Sequence, residues 1–138
     1  MLALKPELIY YQIPLGRFKT VFHYACLNNN PELFEYLYKI EPKGINFFDK
    51  YDCTPLFYAA DTNNLDFFKR IISLGSDINH IDKKGSSVLY RSIAYSKSHM
   101  VEYILSHDVN VNIQSEMGRT PLIKASLIIS IFVQKEED

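Results

Sequence analysis

The side chains best able to do chemistry in this 138-residue sequence are few and scattered. His23 and Cys26 stand three apart, which on a helix puts an imidazole and a thiol on one face, half of a zinc site. No second pair follows at metal-ligand spacing, and two ligands do not close a site. Cys26 or Cys53 beside a histidine would make a thiol dyad, yet nothing in the linear order brings such groups together. His99 and His107 carry no partner pattern that suggests catalysis. They are expected to be exposed on the polar side of a helix whose core face is Val101, Ile104 and Leu105. Five glycines lie one to a turn, so neither a phosphate loop nor a dinucleotide fingerprint is present. No paired carboxylates share a pocket-forming element, and no serine sits in a nucleophile-elbow context. The expectation is no enzyme, no metal, no cofactor and no small-molecule substrate.

Bulk properties narrow the class. A hydrophobic content of 47% is too high for a disordered tail. A formal charge of −1 gives no general reason to bind nucleic acid or acidic membranes, so no nucleic-acid partner is expected. The longest strongly apolar run, 127–133, falls far short of the roughly 20 residues a spanning helix needs. Two cysteines without a recognisable secretory signal argue for a reducing, intracellular setting, with the cytoplasm as the expected location.

The elements come from one stretch, Thr54 to Asn79. Thr54 can cap a helix, and Pro55 suits the first helical position, where its missing N–H costs nothing. Leu56, Ala59 and Ala60 fall at i, i+3 and i+4, a narrow apolar face whose alanines allow close helix approach. Asn63 and Asn64 interrupt the pattern, since Asn tolerates the left-handed conformation that ends a helix. A second helix follows, with Leu65, Phe68, Ile71 and Ile72 on one side, and Gly75 ends it as a left-handed cap. Two helices in so few residues cannot bury their apolar stripes alone, so the unit needs copies of itself.

The copies are present. Thr20, Thr54, Ser87 and Thr120 recur 34, 33 and 33 residues apart as helix caps. Ala25, Ala59, Ile93 and Ala125 follow in register, and Ile45-Asn46, Asp77-Ile78-Asn79 and Asn110-Val111-Asn112 close the units. Polar turns carrying a glycine, 82–85 and 115–118, precede the later caps. A period near 33 is a solenoid signal. With Thr54-Pro55-Leu56-Phe57-Tyr58-Ala59-Ala60 as its opening and Gly75-Ser76-Asp77-Ile78-Asn79 as its close, the chain resembles the ankyrin repeat family over residues 18 to 133. The resemblance implies an all-α, ankyrin-type solenoid of helix-turn-helix repeats joined by β-hairpin-like turns. The units read as 18–48, 49–81, 82–114 and a partial or degenerate copy at 115–138.

Departures from the pattern carry expectations of their own. His23 holds the motif histidine position, where the resemblance implies a structural hydrogen bond to Thr20; Phe57, Tyr90 and Ile123 replace it in the other copies. Phe67 and Phe68 predict a bulky core in the second repeat. Asp108 stands where a capping glycine is expected and is read as taking the left-handed position, which makes the third repeat the least stable full copy. In the last copy the turn glycine is replaced by Ile129, and only the first turn of a second helix is expected. Exposed Ile128, Ile129, Ile131 and Phe132 would form an association-prone patch. This reads either as a truncated form of a longer repeat protein or as an unusual C-terminal cap. Residues 1–17 read as a capping segment, Leu8, Ile9 and Tyr11 to Ile13 packing on the first repeat, or as the remnant of a preceding domain.

Stacked repeats make an extended concave surface. The resemblance implies that turn tips and the inner faces of first helices contact another protein. Carried over by position, the partner-binding candidates are Lys50, Tyr51, Tyr58, Lys83, Lys84, Arg91, Met117, Arg119 and Lys124. Leu27, Asp61 and Tyr95 lie beside the inner positions. Tyr and Arg are enriched in binding hot spots, and the fold does not call for them in packing at these positions. The basic members give the groove a mild preference for an acidic segment. Two functions are weighed: a non-catalytic adaptor docking a partner protein, and a regulatory or targeting repeat region of a longer enzymatic or membrane protein.

Overall fold

The computed structural model describes residues 5–12 and 18–137. Among them run seven α-helices: α1 (Val21–Leu27), α2 (Pro31–Ile40), α3 (Pro55–Ala60), α4 (Leu65–Ser73), α5 (Val88–Ala94), α6 (Ser98–Leu105) and α7 (Pro121–Glu137). Short 3-10 helices at Pro6–Tyr10 and Pro42–Asn46 complete the regular structure. Helices α1, α3, α5 and α7 stack side by side in one layer. Helices α2, α4 and α6 form the other, with Phe34 edge-on to Phe67 and Phe68 edge-on to Tyr103. The architecture is the all-α helix-turn-helix solenoid the period implies.

Helices as short as α1 and α3 are marginal in isolation, so packing must hold them. Phe22, Ala25 and Cys26 on α1 and Leu56, Ala59 and Ala60 on α3 are all buried, and the alanines let the two helices close on each other. The core is indeed bulky in the second repeat, where Phe57, Phe67 and Phe68 are buried together.

The turns repeat as closely as the helices. Asp49 N–H donates to Cys53 O (3.0 Å), Asp82 N–H to Ser86 O (3.0 Å) and Ser115 N–H to Arg119 O (2.9 Å). Neighbouring turns are then laced together, Lys83 N–H donating to Tyr51 O (2.9 Å) and Glu116 N–H to Lys84 O (2.6 Å). On the opposite edge Asn46 accepts from Asp77 N–H (3.1 Å) and Asn79 from Asn110 N–H (2.9 Å). These two ladders fix the stacking register.

Several expectations are corrected. Asn64 does not end α3; its side chain caps the start of α4 by accepting from Phe67 N–H (3.0 Å), and it is Asn29 and Ser96 that adopt positive φ. Asp108 is not left-handed, because α6 closes with Ser106 N–H on Glu102 O and the chain leaves through a tight Val109 N–H to His107 O contact (2.9 Å). Met100 and Ile104 form the buried face of α6, while Leu105 is 51% exposed. Its counterpart Ile72 is covered because α6 packs on α4; no described helix packs on α6 in turn. His99 is exposed as expected, but His107 is half-buried, with Nδ1 2.9 Å from Tyr103 O. The last copy shows no turn at Ile129: α7 is a single helix through that position, which an apolar run free of Gly and Pro permits.

Of the N-terminal residues, Ile9 packs into the core, whereas Leu8 and Tyr11 are exposed. Ile13 lies outside the described residues, as does the side chain of Phe132. Tyr10 stacks on Phe47 and donates to Glu41, and Gln12 Nε2 donates to Phe48 O (3.1 Å).

Candidate functional site

Between the second and third turns and helices α3 and α5 lies a groove of about 550 Å³. Behind its lining lies Asp49, whose Oδ1 accepts from the backbone N–H groups of Tyr51 (2.9 Å) and Cys53 (3.0 Å). The other oxygen accepts from Tyr58 and lies 3.8 Å from Lys19 Nζ. Asp82 repeats the turn chemistry one unit on, accepting from Lys84 N–H and Ser86 N–H at 2.9 Å each. These carboxylates hold the turns open so that Tyr51, Lys83 and Lys84 line the rim.

Arg91 rises from α5 into this space and is clamped by Asp61 through Nε (2.9 Å) and Nη2 (2.6 Å). Its guanidinium lies 5.4 Å from the ring centre of Tyr58 and 5.8 Å from that of Tyr95. Burial works against its charge, but the Asp61 carboxylate more than compensates and raises its pKa. Burial, then the bond to Asp49, raises Tyr58 above the usual phenol range.

Of the nine candidates, Tyr51, Tyr58, Lys83, Lys84 and Arg91 share the groove. Lys50, Met117, Arg119 and Lys124 lie outside its lining; Lys124 Nζ sits 6.0 Å from the ring centre of Tyr90. The notion that these positions are spare in packing is corrected for two of them. Tyr58 is only 8% exposed and tied to Asp49, and Arg91 is committed to Asp61. Tyr90 and Tyr95 contribute to the lining, and Asp49 organises it from beneath. The signal for Asp49 was available, since Asp82 stands 33 residues on in the same turn.

The chemistry of the remaining reactive groups is blunted. Burial pushes the Cys53 thiol up to about 12 and raises Cys26 as well, so neither supplies a thiolate at neutral pH. His23 Nδ1 faces the N–H and hydroxyl of Thr20 (3.0 and 2.9 Å), and Nε2 faces Cys53 O (2.8 Å). Both ring nitrogens are therefore engaged, which removes the imidazole from any zinc pair with Cys26. No group of three metal-ligating residues exists among the described residues. No described helix is long and apolar enough to cross a membrane.

Comparison with known proteins agrees with this geometry. The family profile described as ankyrin repeats, three copies, matches residues 5–82 and 62–131. An ankyrin repeat protein of vaccinia virus (strain Copenhagen) is 34% identical over 99 residues, 70% of this chain and 17% of the viral protein. An ankyrin repeat protein of fowlpox virus (strain NVSL) is 29% identical over 106 residues, 76% of this chain and 55% of its own length. The mouse (Mus musculus) B-cell lymphoma 3 protein homolog is 28% identical over 112 residues, 78% of this chain and 25% of its own. The chain thus spans no more than about half the length of these relatives. With a matching profile over most of its residues, helix pairs stacked on a 33-residue register and turns laced edge to edge, the chain belongs to the ankyrin repeat family.

Proposed function

We propose that this chain is a non-catalytic protein-interaction module that docks a segment of another protein in the groove between its second and third repeats. The repeats are taken as 18–48, 49–81 and 82–114, followed by a partial copy at 115–138. The observation that carries the reading is the groove's composition: Tyr51, Tyr90 and Tyr95 around a fixed guanidinium, under a rim of exposed Lys83 and Lys84. Aromatic anchors held rigid by neighbours lose little entropy on binding. Because Arg91 is already neutralised by Asp61, and Asp82 and Glu116 share the lining, the preference for an acidic segment rests on the two exposed lysines and is mild. Cytoplasmic action is part of the proposal and is compatible with the two free thiols.

A direct test is selection of peptides from a random display library on the immobilised chain. Acidic sequences should be enriched, and Lys83→Glu with Lys84→Glu should weaken them about tenfold or more. Tyr95→Ala should also weaken them without lowering the melting temperature. Tyr58→Ala is unsuited to this purpose, since it would also remove a buried contact to Asp49. Enriched peptides indifferent to all three changes would sink the reading. The greater length of the relatives supports a second reading, a regulatory or targeting repeat region of a longer protein. Mapping whether the natural reading frame runs on beyond position 138 tests it.

A further inference from the structure

The three turns that open at Asp49, Asp82 and Ser115 share one backbone. In each, the first residue's N–H donates to the carbonyl four residues on, and its carbonyl accepts from the residue three on. That latter residue takes positive φ every time: Asp52 at 58°, Gly85 at 72° and Gly118 at 71°. A side chain at the first position therefore leaves each turn in the same direction. In two of the turns it is a carboxylate whose Oδ1 accepts a pair of backbone N–H groups, those of Tyr51 and Cys53 or of Lys84 and Ser86. The turn at Ser115 keeps the donors and lacks the acceptor. Among the described residues neither Met117 N–H nor Arg119 N–H has a hydrogen-bond partner. The hydroxyl of Ser115, a residue only 9% exposed, is buried without one as well. Its oxygen stands one bond short of where a carboxylate oxygen would sit, so the point on which the two N–H groups converge is left without an acceptor.

We infer that this turn is a carboxylate-binding site, filled by an Asp or Glu side chain of the acidic segment proposed for the groove. It rests on that reading for the source of the carboxylate and not for the site itself. One carboxylate oxygen takes both N–H groups, as Oδ1 of Asp49 and of Asp82 does in the earlier turns, through charge-assisted bonds. The second oxygen is left for a cation. Arg119 belongs to the turn, and Lys124 stands nine residues beyond Ser115, just as Tyr58, which donates to Asp49, stands nine beyond Asp49. Neither Arg119 nor Lys124 forms an ion pair among the described residues, and together they outweigh Glu116, the one acid of the turn. The position opens on the concave side. Asp82, its equivalent one unit back, lines the groove even with a further turn laced beside it, and Glu116 lines the same groove. Met117, Arg119 and Lys124, which lie outside that lining, thus acquire one shared task.

Amide NMR of the isotope-labelled 138-residue chain, titrated with sodium acetate at constant ionic strength, tests the site. The amide protons of Met117 and Arg119 should move downfield together and saturate. Those of Tyr51, Cys53, Lys84 and Ser86, already bonded to Asp49 and Asp82, should stay still. Ser115→Asp should abolish the acetate response and raise the melting temperature, since the turn then carries its own acceptor. Arg119→Ala combined with Lys124→Ala should weaken acetate binding about tenfold. An acidic peptide selected on the chain should move the same two amides and bind the Ser115→Asp chain about tenfold more weakly. Acetate that leaves both amides unmoved, the result if the turn holds only water, overturns the inference, as does a Ser115→Asp chain that melts no higher than the wild type. Peptides that bind through Lys83 and Lys84 without moving these amides overturn it too, while the groove reading stands. Saturable acetate binding without any enriched acidic peptide supports the site and sinks the groove reading instead.

Discussion

The imidazole of His23 joins two repeats through atoms with different roles. Nδ1 accepts from Thr20, so the ring proton sits on Nε2 and is donated to Cys53 O, thirty residues away. Burial is the main cause of a pKa lowered from 6.5, with the bond to Cys53 opposing it. A histidine that resists protonation when folded takes up a proton more readily when unfolded. Its contribution is therefore complete above about pH 6.5 and is lost as pH falls below that value. Melts between roughly pH 8 and 5 should show this loss, and His23→Phe should flatten that part of the profile. Identical slopes in both proteins would refute it. His23→Phe should also cost about 1–3 kcal/mol at neutral pH by taking the ring away from the buried Thr20 hydroxyl and removing one of the two hydrogen bonds to Cys53 O. The neighbouring repeat shows the consequence: with Phe57 at this position, the Thr54 hydroxyl is buried without a partner. The short bond to Thr20 was implied by the family resemblance, but the bond to Cys53 crosses repeats and appears in no local pattern.

Elements in this molecule end and meet where the chain runs out of room as well as where a residue type permits. Gly44 lies in the 3-10 helix Pro42–Asn46. A Cβ there would stand 2.0 Å from the Phe22 ring, which is wholly buried against Phe34 and Phe47. Gly75 presents the opposite case: its φ of +101° disfavours a side chain, but nothing lies within 4 Å of a Cβ. Gly44→Ala should cost about 1–3 kcal/mol or more through overpacking. Gly75→Ala should cost about 1–2 kcal/mol through backbone conformation alone. Shrinking the ring with Phe22→Leu should recover part of the first loss and none of the second, which denaturant melts of the three single and two double variants would decide. Equal recovery in both would show that Gly44 is also a backbone requirement. The same distinction explains what was legible here. Cap residues and apolar spacing announced α1 to α6, because those signals are local. The fate of Leu105 depended on which helix lies next door, and one sequence does not say.

Among the described residues the row of repeats is covered unevenly. At one end Ile9 is buried and Tyr10 stacks on Phe47, closing the first repeat. At the other, α7 contributes Pro121 as its buried residue among those described, while α3 is buried at every position. The groove lies between, on α3 and α5, so its walls differ in support: α3 is clasped by α1, α4 and α5, and α5 leans on the half-covered α7. The stacking of the first helices was legible from the period, but the particular groove was not, because Tyr58 and Arg91 turned out to be held by Asp49 and Asp61. In a nearest-neighbour solenoid, opening energies should fall from the best-covered unit to the least. Amide exchange should therefore be slowest in α3 and α4, faster in α5 and α6, and fastest in α7. Protection in α7 that equals that of α3 would mean that stability is shared evenly along the row. In that case the 33-residue units would not be its cooperative steps.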